Sequence, residues 1–69
     1  MTKLILSQRQ AEALNLLSTG RSIADISLAL GVSYSRAINL LNEILVKTGI
    51  KTRKELIVAS KTLEFEVKE

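Results

Sequence analysis

The chain contains no cysteine and no histidine, which excludes disulfides, thiol chemistry and the usual zinc ligands. Proline is absent as well, and glycine occurs only at positions 20, 31 and 49, so helices can run unbroken between those points. Tyr34 and Phe65 are the sole aromatic residues. No apolar run approaches the roughly 20 residues that a membrane-crossing helix needs, and the apolar stretch after Met1 is too short for a signal peptide. A cytoplasmic protein is expected, with no membrane partner, no metal and no cofactor. Its 69 residues allow one domain, and a chain of this size buries only about 60% of its unfolded surface. A partner, such as a second copy of the chain, is then the remaining source of extra stability.

What is present is mostly Leu, Ile, Ala and Val, a palette suited to close-packed helices. Charge is placed unevenly. Residues 1–61 carry nine basic and four acidic side chains, a balance of +5, and residues 62–69 carry one Lys and three Glu, a balance of −2. A basic body with an acidic tail suits a polyanionic partner.

The three glycines divide the chain into four helical segments. Ser7 and Gln10 form a capping box that opens the first, whose apolar stripe is Ala11, Leu14, Leu16 and Leu17. Gly20 ends it. Ser22 opens the second, with Asp25 at its positive end and an inner face of Ile23, Ile26, Ala29 and Leu30. Gly31 makes a tight turn. Ser33 caps the third segment, which runs to about Thr48 and stops at Gly49, with Ile50 as the apolar contact beyond the stop. Thr52 and Glu55 form a further capping box and open the fourth segment, to about Ser60. From Thr62 onward, Leu63, Phe65 and Val67 alternate with Glu64, Glu66 and Lys68, a strand period. A lone strand has no partner in a helical domain unless another chain supplies an edge. The reading adopted is an all-α, four-helix domain over 1–61 with a central helix-turn-helix, followed by an irregular acidic C-terminal tail over 62–69.

A short helix, a turn with glycine and a longer helix make a helix-turn-helix, with Leu28-Ala29-Leu30-Gly31-Val32-Ser33 at its centre. The wider pattern resembles the LuxR/GerE-type DNA-binding domains. Leu6-Ser7-Gln8-Arg9-Gln10-Ala11-Glu12-Ala13-Leu14 is similar to the family's opening L-T-x-R-E-x-E-V-L, and Leu16-Leu17-Ser18-Thr19-Gly20-Arg21-Ser22 to L-L-A-x-G-x-S. Asp25-Ile26-Ser27 matches E-I-A, and Val32-Ser33 matches I-S. Ile44, Lys47, Gly49-Ile50, Arg53 and Glu55-Leu56 match the ending I-x-x-K-L-G-V-x-x-R-x-E-A. The likeness spans residues 6 to about 60. Sigma-factor region 4 is a more distant likeness, through Leu30-Gly31-Val32-Ser33 and Arg36. The resemblance implies a transcription regulator with its third helix in the DNA major groove and its fourth helix forming a two-fold dimer contact. That contact would fall on Glu55, Ile57, Val58 and Lys61. With Met1 so close to the first helix, a stand-alone regulator is expected.

The third helix departs from the family's T-V-K-x-H, carrying Arg36-Ala37-Ile38-Asn39-Leu40 instead. The family Lys, which meets DNA, is replaced by Ile38. At about 100° per residue, Ala37, Leu40, Leu41, Ile44 and Thr48 form the core face. Tyr34, Ile38 and Leu45 lie on one flank of it. Ser35, Asn39 and Asn42 lie opposite, with Arg36, Glu43 and Lys47 beyond them. As a binder of double-stranded DNA, the helix would turn Ser35, Asn39 and Asn42 toward base edges, since Asn pairs bidentately with adenine. Ile38 would touch a thymine methyl, and Tyr34, Arg36 and Lys47 would hold phosphates. As a protein-binding regulator, it would instead pack Tyr34, Ile38 and Leu45 on another transcription protein, a reading that Glu43 favours. An enzyme is not expected, since no His, Cys or clustered carboxylates supply a catalytic group.

Overall fold

The computed structural model describes residues 4–68. In chain order these form β1 (Leu4–Leu6), α1 (Gln8–Ser18), α2 (Ile23–Leu30), α3 (Tyr34–Thr48), α4 (Arg53–Ser60) and β2 (Phe65–Val67). The body is helical, and its four helices lie where glycine spacing and hydroxyl caps place them.

Each helix begins at a side-chain oxygen. Ser7, Ser22, Ser33 and Thr52 have extended backbone and accept from the amides of Gln10, Asp25, Arg36 and Glu55. Those first-turn amides have no carbonyl partner inside the helix, so the cap replaces water. At Ser7 the box closes in both directions, with Gln10 Oε1 accepting from the Ser7 amide at 3.0 Å. At Ser22 and Thr52 only the bond from the third amide to the hydroxyl is present, at 3.1 and 3.2 Å, so the box expected of Thr52 and Glu55 is half made. At the other ends, Gly31 and Gly49 terminate α2 and α3 with φ of 67° and 74°. A side chain at Gly31 would meet nothing within 4 Å, so the demand there is for left-handed backbone and not for space.

α1 lies at the centre, packed against α2, α3, α4 and β1. Its Ala11, Ala13, Leu14 and Leu17 meet Ile26 and Leu30 of α2, Ala37, Leu40, Leu41 and Ile44 of α3, and Leu56 of α4 in one core. Leu16, Leu45, Ile50 and Ile57 pack at its margin, half-buried. α2 departs from the expected inner face. Ile26, Ser27 and Leu30 are buried, whereas Ala29 is exposed. Ser27 is accommodated because its hydroxyl donates to the Ala24 carbonyl at 2.8 Å, satisfying the polar group within the helix.

The tail corrects the expectation of an irregular end. Phe65–Val67 pairs in parallel with Leu4–Leu6, in the register Leu4 to Phe65, Ile5 to Glu66 and Leu6 to Val67; Glu69 lies outside the described residues. The Lys68 amide extends the ladder to the Leu6 carbonyl at 2.8 Å. The edge that the tail needs comes from the chain's own beginning. Leu4, Leu6, Leu63 and Phe65 pack on the helical core, so the strand period read from Leu63 onward reflects a half-buried ribbon. A two-stranded sheet is marginal by itself; this one rests on the helices.

Candidate functional site

α2 and α3 are joined by Gly31, Val32 and Ser33. The Gly31 and Val32 amides donate to the carbonyls of Leu28 and Ser27, closing the end of α2. The Arg9 guanidinium, from α1, donates to the Leu30 carbonyl at the same end. A positive charge there complements the negative end of the helix and ties α1 to the turn. The entry to α3 is therefore fixed from three directions: the turn, the Ser33 cap and the core face of Ala37, Leu40, Leu41 and Ile44.

The opposite face of α3 is open. Ser35, Asn39 and Asn42 are all exposed. With Val46 they follow i, i+4, i+7 and i+11, a single stripe along the helix. Asn39, Asn42 and Val46 line a shallow open groove together with Gln10, Glu43 and Lys47. Tyr34 is 55% exposed at the start of the helix. Ile38 and Leu45 are half-buried, and Leu45 packs on the core. The apolar flank of Tyr34, Ile38 and Leu45 thus presents mainly Tyr34 to solvent. Val46, 82% exposed, is the more fully exposed apolar side chain on this helix. Its i+4 spacing from Asn42 is the signal that could have found it.

Beside the stripe runs a polar network. Arg36 and Glu43 pair at 3.6 Å, with both side chains about half exposed, a geometry worth only about 0–1 kcal/mol. Glu43 Oε1 accepts from Gln10 Nε2 at 2.8 Å. Gln10 Oε1 accepts from Lys47 Nζ at 3.0 Å while also closing the Ser7 cap. Lys47 Nζ donates to the Ile5 carbonyl at 2.9 Å. Gln10 is only 7% exposed, and its amide uses both its donor and its acceptor end to join α1, α3 and the cap. Sequence reading found Gln10 as a capping residue only. Its partners stand 33 and 37 positions away, and no local pattern links them. Two of the three Lys47 donors are engaged within the fold, which leaves one open to solvent.

The residues expected at a dimer contact divide between two environments. Glu55 and Val58 are exposed on α4, with Val58 at 70%, and Lys61 is exposed just past its end, whereas Ile57 is half-buried and packs on the core. Val58 and Glu55 border an open apolar groove with Ile50, Lys54 and Ala59. Lys51, Arg53 and Lys54 are exposed around the start of α4. Among the described residues no helix is long and apolar enough to cross a membrane. Comparison with family models, curated proteins and solved structures finds no match to this chain.

Proposed function

We infer that this chain is a small DNA-binding transcription regulator, not an enzyme, in which α2, the Gly31 turn and α3 act as a helix-turn-helix and α3 enters the major groove as part of a dimer. One observation carries the reading: α3 is locked to the body by one face while the other presents Ser35, Asn39 and Asn42 in an exposed stripe. Hydrogen-bonding side chains on a rigid helix are what base-edge recognition requires. Arg36 and the remaining Lys47 donor flank the stripe and serve phosphates, with Lys51, Arg53 and Lys54 adding positive charge nearby. Duplex binding measured across a salt series tests this. Affinity falls steeply as salt rises, and no binding to any duplex at low salt refutes the reading. Asn39→Ala relaxes sequence preference by about 1–3 kcal/mol of discrimination, whereas Arg36→Ala weakens all duplexes alike.

A second reading is favoured by Glu43 and Val46. An acidic side chain beside the stripe repels phosphate, and an apolar side chain 82% exposed at its end suits a protein surface. In that case α3 captures another transcription protein. Val46→Glu and Ile38→Glu then abolish that association.

A further inference from the structure

The strand pair has two edges, and they are treated differently. On β1, the Ile5 carbonyl points away from β2 and is taken by Lys47 Nζ, which blocks that edge. On β2, Lys68 donates back to Leu6. By the alternation of a strand, the amides and carbonyls of Phe65 and Val67 therefore point outward. Among the described residues β2 has no second strand neighbour. Val67 lies in register with the fully buried Leu6, on the face that packs toward the core, yet it is 49% exposed. An unpaired edge with a half-covered apolar residue is a site for strand addition.

We propose that the outer edge of β2 is the surface through which two copies of this chain pair, antiparallel about a two-fold axis, giving a four-stranded sheet. The occupant is chosen by charge. Centring the pairing on Phe65 sets Glu64 against Glu66 of the second copy twice. Centring on Glu66 sets that carboxylate against itself. Centring on Val67 sets Glu66 against Lys68 of the second copy twice, with no like-charge pair. It also places the two Val67 side chains opposite one another and joins their outward amides and carbonyls in a hydrogen-bonded pair. A two-fold axis requires such a self-complementary patch, and the run from Glu64 to Lys68 supplies one. The pairing is independent of what α3 binds.

Three-residue strands make a small contact, in the range of weak interfaces below about 1,200 Å², so sedimentation velocity of the full chain, without DNA, from about 10 μM to 1 mM is the appropriate measurement. A concentration-dependent dimer is expected. Glu66→Lys raises its dissociation constant at least about tenfold, because Lys then faces Lys. Glu66→Lys combined with Lys68→Glu restores it to within about threefold, since the pair is reversed and not removed. Val67→Pro, which deletes an outward amide while sparing the bonds to β1, yields a monomer. Helical circular dichroism unchanged from the parent shows that each variant is folded. A monomer throughout the range overturns the proposal. So does a dimer that is indifferent to Glu66→Lys, including one lost only on Val58→Glu, which would assign the contact to α4.

Discussion

α3 and the β1–β2 pair are both held by the same core, yet they come into being differently. The ends of α3 are set within a few residues: Ser33 accepts from Arg36 at one end, and Gly49 turns left-handed at the other. The partners in the strand pair stand far apart, Leu4 and Phe65 being separated by 61 positions (65 − 4). No turn joins them; the four helices are the connection. A helix with caps and a buried row carries its own instructions, whereas a two-stranded ribbon takes its register from the surface on which it lies.

Three substitutions and one exchange measurement test this difference. The largest effect is expected at Leu41, fully buried in α3. Leu41→Ala lowers unfolding free energy by about 2–5 kcal/mol in a denaturant titration, and helix and strand signals are lost together because the ribbon has no stability of its own. Next comes Gln10→Ala, which leaves the Ser7 amide without its partner and takes one hydrogen bond each from Glu43 and Lys47. A loss of about 1–3 kcal/mol is expected. A loss below a few tenths would show that solvent replaces the network at no cost. Ser33→Ala removes only a local cap, costs about 1 kcal/mol, and leaves the strand register unchanged by nuclear Overhauser contacts between Leu4 and Phe65. The smallest perturbation requires no substitution. In native-state hydrogen exchange, the Lys68 amide opens more than about tenfold faster than those of Leu41 and Ile44, since the ribbon can detach while the core stays closed. Equal protection would place the strands within the same cooperative unit as α3.

The candidate site divides along the same line. Ser35, Asn39 and Asn42 were legible on the outer face of the third helix because helical spacing alone separates them from Ala37, Leu40, Leu41 and Ile44. Arg36 and Lys47 were legible as charges near that face. That Arg36 pairs with Glu43, and that Lys47 reaches both Gln10 and Ile5, were not, because those contacts depend on how α1 and β1 lie against α3. Ala29 was misplaced for a related reason. In an eight-residue helix, the exchange of one member of the buried row, Ser27 in place of Ala29, is decided by the neighbour and not by the period.

Four helices, their caps, their stops and most of the buried row are written in the order of the residues, because each of these follows from interactions within one helical turn or from a period of 3.6 residues. Only packing across the fold set the pairing of Leu4–Leu6 with Phe65–Val67 and the wiring of Gln10. Those depend on contacts between residues dozens of positions apart, for which a strand period or a lone amide gives a capacity but no address.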